Sequence, residues 1–550
     1  MFCKVYSAVV RGIAAELIEV EVDIKNGLPS FSLVGASASE TREAKERVRV
    51  ALENTGYVLP AKRITVNLSP ADIKKEGTAF DLPVAIAVLT AFGHIPKENV
   101  KPYMMIGELC LDGQIKSVNG VLPMAIAAKE SGLTGIVVPR QNQNEAQLMD
   151  DFKVYAPATL REAIDLLSGT THIEKNPNTF CEKENGLQVS ADLNTDELRN
   201  REDVAQSDEI RLHVCENGKN TLEYREKEEK RGHDFVDVCG QRLAKRGLEI
   251  AAAGMHNILL VGPPGSGKSL LANCMPSILP PLTKEESMEV SKIYSVAGKL
   301  NQVTSLIQRP PFQAPHHTVT EVALAGGGRN ASPGLLSLSH RGVLFLDELP
   351  EFKRETIELL RQPLEEKHIV VSRKEATYTY PAGGIVVAAM NPCPCGYYPN
   401  RKRCTCTEAK IRRYINKISG PIVDRIDLCV ETTEPVFSEL QRGRMEECSA
   451  DVRKRVLEAR KRQKARFGRE GYFNSDMNQE ELSNYCCLRE DTLKLMEQAF
   501  ASMQLSARAF HRVLRLARTI ADLEQEEHIL EQHLTEALCY RLVNEKYWKA

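Results

Sequence analysis

Residues 262–269 read Gly262-Pro263-Pro264-Gly265-Ser266-Gly267-Lys268-Ser269 and fit the pattern G-x-x-x-x-G-K-[S/T] at each fixed position. The preceding segment, residues 257–261, is short and mostly apolar and is followed by a glycine. This pattern predicts a buried parallel strand. Residues 269–273 predict the first turns of a helix. This strand–loop–helix context favours a phosphate-binding loop over a chance glycine-rich turn. The segment therefore predicts a nucleoside triphosphate site.

The chemistry expected of this loop follows from its residue types. Its glycines let successive backbone N–H groups curl around phosphates, and the helix N-terminus adds its positive end. Lys268 is predicted to reach the β- and γ-phosphates, and the Ser269 hydroxyl to hold Mg²⁺. ATP and Mg²⁺ are the expected ligands.

The chain has 550 residues, a formal net charge of −2 and 27% charged residues. Its length predicts several domains, and its charge indicates no partner, so any nucleic-acid surface must be a local patch. No window reaches the ~18 apolar residues of a membrane span, and the N-terminus lacks the layout of a signal peptide. We therefore expect a cytoplasmic protein whose 15 cysteines are reduced, buried or metal-bound.

Residues 1–165 predict an α+β domain. Apolar residues recur at helical spacing over 43–52, and residues 63–68 alternate like a half-buried strand. A second, more apolar helix is predicted over 82–92, and another strand over 135–139.

Residues 166–230 form a different kind of segment. Asn, Glu, Lys, Asp and Thr dominate it, and it shows no helical or strand periodicity. Such a composition buries too little apolar surface to offset the entropy lost on ordering. The segment therefore predicts a flexible or partly helical polar linker without a site.

Two further apolar strands end in polar residues. Residues 343–346 precede Asp347 and Glu348, an acidic pair that is typical of a Walker B element when it follows a phosphate-binding loop. Asp347 is predicted to accept the water shell of Mg²⁺, and Glu348 to polarise the attacking water. Residues 384–390 precede Asn391, which should lie level with the γ-phosphate because ligands bind at the carboxyl ends of parallel strands. A turn-forming asparagine is the alternative.

Four cysteines form two C-x-C elements separated by eight residues: Cys393, Cys395, Cys404 and Cys406. Two close thiolate pairs can close tetrahedrally around Zn²⁺, which would be structural because four thiolates leave no open position. Unliganded thiols are the alternative. Basic residues at 401–403 and 410–413 predict a nucleic-acid contact or a subunit-packing surface.

Residues 506–523 predict an amphipathic helix in a C-terminal helical region. Its apolar face carries Phe510, Val513, Leu514 and Ala517, and its opposite face carries Arg508, Arg512, Arg515 and Arg518. The apolar face should pack into a helical bundle. Arg512 and Arg515 are predicted to be ordinary exposed charges.

Five blocks carry a more specific signal: DFVDVCGQ (234–241), APHHT (314–318), GVLFLDEL (342–349), NPCPCG (391–396) and SGPIVDRIDL (419–428). Together they resemble the YifB/ComM family of magnesium-chelatase-like AAA+ ATPases, which are more distantly related to MCM helicases. The resemblance covers nearly the whole chain except the linker. It implies a multidomain α/β protein with a P-loop AAA+ core and parallel sheet over 231–435. A C-terminal helical lid of magnesium-chelatase type would follow over 436–550.

The N-terminal domain resembles the proteolytic domain of Lon-type proteases at EGTAFD (76–81) and at GELCLDG (107–113), which continues to GVL (120–122). Those proteases use a Ser–Lys pair in which the amine activates the hydroxyl. The matching positions here hold Ala79 and Leu122, and neither side chain can perform that chemistry. The resemblance therefore implies a shared fold without peptidase activity.

The family resemblance also implies roles for single residues. Asn391 matches the sensor-1 position, and Arg508 matches the sensor-2 residue that touches phosphate when the lid closes. Arg425 matches the arginine finger, which acts on the γ-phosphate bound by the neighbouring subunit. A plain ion pair of Arg425 with Asp424 or Asp427 is the alternative.

Residues 368–372 and 376–380 predict a β-hairpin with Arg373 and Lys374 at its tip. In MCM-like motors the corresponding hairpin contacts DNA, which makes both residues candidates for backbone phosphate contacts; a solvent-exposed tip is the alternative.

The protein implied by the resemblance is an ATP-hydrolysing homo-oligomeric ring, expected to be a hexamer. It would act on single-stranded or branched DNA as a helicase or branch-migration motor linked to competence or recombination. The alternative is an ATP-dependent remodeller of proteins or cofactors of the magnesium-chelatase type. A protease is disfavoured by Ala79 and Leu122.

Overall fold

The structure is a computed structural model that describes residues 1–35, 38–73, 75, 77–169, 233–300, 305–328, 331–372, 377–434 and 446–549. The predicted linker and the predicted hairpin tip, with Arg373 and Lys374, fall mostly or wholly outside the described residues. None of the helices in the described ranges is long and apolar enough to cross a membrane.

The N-terminal strands are β1 (Phe2–Arg11), β2 (Ala14–Lys25), β3 (Ser30–Val34), β4 (Arg63–Ser69), β5 (Tyr103–Met105), β6 (Glu108–Leu109), β7 (Ile115–Lys116), β8 (Gly135–Val137) and β9 (Lys153–Tyr155). Among the described residues, seven of them form one mixed sheet in the order β3-β4-β2-β1-β5-β8-β9. β1 and β2 pair antiparallel along their length, whereas β5, β8 and β9 add in parallel. β6 and β7 form a separate antiparallel pair.

The helices of this part are Ala38–Asn54, Asp81–Phe92, Lys97–Val100, Val121–Glu130, Gln143–Ala146 and Leu160–Ser168, with a 3₁₀ turn at Arg140–Asn142. The helix Asp81–Phe92 is apolar on nearly all sides and is buried from residue 81 to 91, because it packs between β1, β2 and the first helix. The predicted helices over 43–52 and 82–92 and the predicted strands are confirmed. The last helix extends beyond the expected boundary at 165, since Leu167 is buried.

The strands of the following part are β10 (Ile258–Val261), β11 (Phe312–Gln313), β12 (Gly326–Gly327), β13 (Ser332–Pro333), β14 (Val343–Leu346), β15 (His368–Ser372), β16 (Thr377–Pro381), β17 (Ile385–Met390) and β18 (Leu428–Glu431). Five of these described strands form a parallel sheet in the order β11-β14-β17-β10-β18. Every residue of β10, β14 and β17 is buried, as expected for strands covered on both faces. Their carboxyl ends therefore meet at one edge, where ligands bind in such sheets.

Helices surround this sheet at Arg242–Gly254, Lys268–Asn273, Met275–Ile278, Lys284–Val296, Glu321–Ala325, Leu335–Leu338, Arg354–Glu358, Arg361–Glu366, Glu408–Ile415 and Gly420–Val423, with 3₁₀ turns at Phe235–Asp237 and Leu349–Glu351. The C-terminal helices are Ser449–Phe467, Gln479–Tyr485, Glu490–Ser502, Ala507–Leu523 and Glu531–Asn544, with a 3₁₀ turn at Asn474–Asp476 and a π-helical turn at Glu545–Lys549. The predicted mixed α/β class, with a parallel sheet and C-terminal helices, is confirmed.

The helix Ala507–Leu523 differs from its prediction on its arginine face. Arg512 is 9% exposed, and its Nη1 atom lies 3.8 Å from the Asp427 carboxylate. Arg515 donates hydrogen bonds from Nε and Nη2 to the Met477 carbonyl, at 3.1 and 2.6 Å. The prediction that Arg512 and Arg515 are ordinary exposed charges was wrong, because other elements contact the helix on this face too.

The N-terminal sheet region docks on the second sheet region through the helix Lys284–Val296, and both belong to one compact unit. The Glu145 carboxylate is fully buried there; it accepts hydrogen bonds from the Leu122 N–H, at 3.1 Å, and from the Ser295 hydroxyl. The Gly120 N–H donates to the Ser295 carbonyl at 3.0 Å. Burial raises the pKa of Glu145. Leu122, at the position of the Lon-type lysine, is thus a buried part of this junction.

Candidate active site

The phosphate-binding loop begins where β10 ends, at the carboxyl edge of the parallel sheet. The Gly262 N–H donates to the Met390 carbonyl at 3.2 Å, which ties the start of the loop to the end of β17. A Cβ atom on Gly262 would lie 2.0 Å from the Thr432 hydroxyl oxygen, so this close approach requires glycine. The helix Lys268–Asn273 begins directly after Gly267, within the last two residues of the loop.

The Lys268 ammonium is held by three oxygen atoms at the base of the loop. Its Nζ donates to the carbonyls of Gly262 and Pro263, both at 2.8 Å, and to Asn391 Oδ1 at 3.1 Å. Burial lowers the pKa of Lys268, and the carboxylates of Asp347 and Glu348 oppose that shift. The contact with Asn391 brings together two residues that are far apart in the sequence and were predicted to face the same phosphate.

The end of β14 supplies the acidic pair. The Ser269 hydroxyl donates to Asp347 Oδ2 at 2.6 Å, and the Glu348 N–H donates to Asp347 Oδ1 at 2.9 Å. Hydroxyl and carboxylate oxygens are the hard ligands that Mg²⁺ accepts, usually with waters in its other positions. Ser269 and Asp347 therefore fit the predicted magnesium site.

An open cleft of about 400 Å³ lies over these groups. It is lined by Pro264, Gly265, Ser266, Gly267, Lys268, Ser269, Leu270, Asp347, Glu348, Met390 and Asn391. The volume is in the range of small-molecule sites. The structure thus brings the predicted loop, acidic pair and Asn391 to one cleft.

Arg425 and Arg508 lie elsewhere. β10 and β18 run parallel, with Ile258 opposite Leu428 and Val261 opposite Glu431. The loop follows Val261 at the carboxyl edge, whereas Arg425 precedes Leu428 at the amino edge. Neither arginine lines the cleft.

At the amino edge, Arg425 forms an intrachain ion pair, but with a different partner from those considered in the sequence. Its Nη2 lies 2.5 Å from Glu365 Oε2, and Arg508 Nη2 lies 3.6 Å from Glu365 Oε1. Asp427 is engaged elsewhere: it accepts the Asn257 N–H at 3.0 Å. Burial would raise the pKa of Asp427, yet the His256 ring and the Arg512 guanidinium hold it well below its usual range.

Two residues near the cleft have no role in the sequence-based prediction. Gln241 Nε2 donates to the Ser266 carbonyl at 3.1 Å and to the Thr433 carbonyl at 2.5 Å, so it braces the loop against the chain after β18. His317 Nδ1 lies 3.9 Å from Glu348 Oε2. Both residues belong to blocks that carried the family resemblance, which was the available signal for them.

The four predicted cysteines cluster directly after Asn391. Their Sγ atoms all lie within 4.8 Å of one another, and the distances from Cys393 to Cys395 and to Cys404 are 3.3 and 3.8 Å. Tetrahedral Zn²⁺ with Zn–S bonds of about 2.3 Å holds its sulfur atoms about 3.8 Å apart. The cluster therefore fits a structural zinc ion. Gly396, in the same turn, packs on the phosphate-binding loop: a Cβ there would lie 2.4 Å from Pro264 Cδ.

The basic residues beside this cysteine cluster are arranged on aromatic rings. The Arg403 guanidinium lies 4.0 Å from the centre of the Tyr397 ring and also pairs with Glu434 at 2.7 Å. The Arg401 guanidinium lies 5.2 Å from the centre of the Tyr398 ring. Lys410, Arg412 and Arg413 are exposed. This surface is cationic but partly neutralised.

Family models match the chain in three places. The model described as "Subunit ChlI of Mg-chelatase" matches residues 20–142, "Magnesium chelatase, subunit ChlI" matches 234–440, and "Magnesium chelatase, subunit ChlI C-terminal" matches 446–541. The magnesium-chelatase 38 kDa subunit of Cereibacter sphaeroides is 25% identical over 179 residues, which cover 30% of this chain and 54% of the relative.

Several relatives align over almost their whole length. Competence protein ComM of Haemophilus influenzae is 41% identical over 539 residues, which cover 98% of this chain and 97% of the relative. Protein YifB of Escherichia coli is 38% identical over 542 residues, again 98% and 97% of the two chains. With this identity, and with a phosphate-binding loop at the carboxyl edge of a parallel sheet, the chain belongs to the YifB/ComM family of magnesium-chelatase-like AAA+ proteins.

Proposed function

We propose that the protein is an ATP-hydrolysing, ring-forming motor that acts on DNA. The observation that carries the proposal of ATP hydrolysis is the cleft in which hydrogen bonds join Lys268 to Asn391 and Ser269 to Asp347, with Glu348 exposed beside them. These are the groups that bind a triphosphate, hold a divalent cation and activate water.

Each residue of the cleft has a separate task in hydrolysis. The loop N–H groups and Lys268 bind the phosphates, and Asn391 orients the outermost one. Ser269 and Asp347 would hold Mg²⁺, which would supply positive charge to offset the charge of the phosphates. Glu348 accepts a hydrogen bond from the attacking water and takes up its proton.

The positions of Arg425 and Arg508 support a ring. A four-residue strand such as β10 is about 13 Å long, and it separates the loop at one edge of the sheet from Arg425 at the other. We propose that a guanidinium from a second copy stabilises charge on the transferred phosphoryl group. In the proposed ring, Arg425 and Arg508 serve the nucleotide of the neighbouring copy.

DNA is the proposed client for two reasons. The relative from Haemophilus influenzae is named a competence protein, and the surface beside the cysteine cluster carries guanidinium groups over aromatic rings. Such groups contact phosphates and stack on bases. The zinc ion proposed for the cysteine cluster would hold this surface in place.

Remodelling of a protein or cofactor is the second candidate, favoured by the family models described as magnesium chelatase. ATP turnover measured at low salt, with and without single-stranded or branched DNA, separates the two functions. We expect DNA to stimulate turnover and the effect to fall as salt rises. Lys268→Ala is the control that should show no turnover in either case. If DNA leaves the rate of ATP turnover unchanged at low salt, the result would contradict the proposal that the protein acts on DNA and would favour remodelling.

A further inference from the structure

The Glu365 carboxylate, on the helix Arg361–Glu366, lies between two arginines from distant parts of the chain. Its Oε2 accepts hydrogen bonds from Arg425 Nε, at 3.1 Å, and from Arg425 Nη2, at 2.5 Å. Its Oε1 lies 3.6 Å from Arg508 Nη2. Each carboxylate oxygen therefore faces a different guanidinium.

The two arginines are restrained to different degrees. Arg425 also donates from Nη1 to the Pro421 carbonyl at 2.9 Å, and its side chain is only 11% exposed. Its guanidinium is thus fixed by contacts on two sides. The Arg508 side chain is 66% exposed, and Glu365 is the carboxylate that pairs with it among the described residues.

Arg508 occupies an unfavourable place for a cation. It lies in the first turn of the helix Ala507–Leu523, where the helix dipole is positive and disfavours positive charge. A carboxylate beside it offsets this effect. Hydrogen bonds from Arg425, together with the charges of Arg508 and Arg512, lower the pKa of Glu365, so the group is ionised at neutral pH.

We propose that Glu365 is a positioning residue that holds Arg425 and Arg508 as a pair facing the nucleotide of a second copy. The inference rests on the proposed function, which assigns both arginines to a neighbouring cleft. Glu365 does not itself touch substrate. It fixes the orientation of the Arg425 guanidinium and keeps Arg508 within reach of the same phosphate group.

Glu365→Gln tests the proposal because it keeps the shape of the side chain and removes its charge. Glu366→Gln is the matched control: Glu366 is the next residue of the same helix, and it contacts Gln362 and His368 instead of the arginines. We expect Glu365→Gln to lower kcat about tenfold while KM for ATP stays within about twofold, since the variant's own cleft is untouched. Glu366→Gln should behave like the wild type.

Mixing with a second variant separates positioning from a folding defect. Glu348→Gln copies lack the water-activating carboxylate but keep both arginines, so in excess they place intact arginines beside the clefts of Glu365→Gln copies. Turnover per Glu365→Gln copy should then rise several-fold toward the wild-type value.

Three results would overturn the inference alone: wild-type kcat in Glu365→Gln, no recovery on mixing, or loss of assembly by Glu365→Gln in size-exclusion chromatography. A wild-type chain that does not hydrolyse ATP would instead overturn the proposed function, and this inference with it.

Discussion

Replacement of Gly396 by alanine tests whether the cysteine cluster supports the phosphate-binding loop. Gly396 has a φ of +85°, and a Cβ atom there would lie 2.4 Å from Pro264 Cδ. Non-bonded carbon atoms normally keep about 3.5 Å or more, so Pro264 must move by about 1 Å. The left-handed backbone adds about 1–2 kcal/mol of strain for any L-residue.

The two costs have different consequences. Backbone strain lowers the free energy of unfolding, whereas movement of Pro264 shifts the N–H groups that bind phosphate. A displacement of about 1 Å in such a site weakens the function of the site on the order of tenfold or more. A tenfold loss of affinity corresponds to about 1.4 kcal/mol of binding free energy. We therefore expect Gly396→Ala to weaken ATP binding about tenfold and to lower the unfolding temperature.

Gly468→Ala is the matched control, because Gly468 also has a positive φ, +66°, but nothing lies within 4 Å of a Cβ built there. It should lose a similar amount of stability and bind ATP like the wild type. Isothermal titration with a non-hydrolysable ATP analogue, and thermal unfolding of the same samples, measure both effects. Equal ATP affinity in the two variants would refute the claim that the cysteine cluster braces the loop.

Three further outcomes follow from the structure. Lys268→Ala removes an ammonium that is held within the cleft, so ATP binding should fall by about tenfold or more in the same titration while the unfolding temperature changes little. Cys404→Ser should lower the zinc content, measured by elemental analysis, from about one ion per chain to a small fraction; equal zinc in both proteins would contradict the site. Burial raises the pKa of Asp81 to about 6 against the lowering by Arg47, so this carboxyl stabilises the fold at acid pH and the contribution declines as pH rises toward 6. Between pH 5 and pH 7.5 the wild type should therefore lose about 1.4 kcal/mol of unfolding free energy relative to Asp81→Asn. Denaturant titrations at the two pH values measure this change, and an unchanged difference between the two proteins would contradict the prediction.

The local sequence pattern was sufficient to predict the site residues that directly follow a buried strand. β10, β14 and β17 are apolar at every position because helices cover both faces of the sheet, so their ends were visible as Gly262, Asp347 and Asn391. The spacing of the four cysteines likewise predicted a cluster. In both cases the residue that carries the chemistry lies next to, or within, the short sequence pattern that predicts it.

Long-range partners could not be predicted in this way. Arg425 and its partner Glu365 are 60 residues apart, and the sequence offers no reason to prefer Glu365 over the nearer Asp424 and Asp427. Asp427 is unavailable because it contacts Asn257 and His256, and these contacts exist only once β10 and β18 are adjacent. The burial of Arg512 was missed for the same reason.

The central claim is that one copy supplies the cleft and another supplies the arginines. Lys268→Ala copies lack a working cleft but keep Arg425, whereas Arg425→Ala copies keep the cleft and lack the arginine. ATP turnover of an equimolar mixture, compared with each variant alone, tests the claim directly. We predict almost no turnover by either variant and recovery of about a quarter of the wild-type rate on random mixing in a closed ring. Full turnover by Arg425→Ala alone, or no recovery in the mixture, would contradict the account.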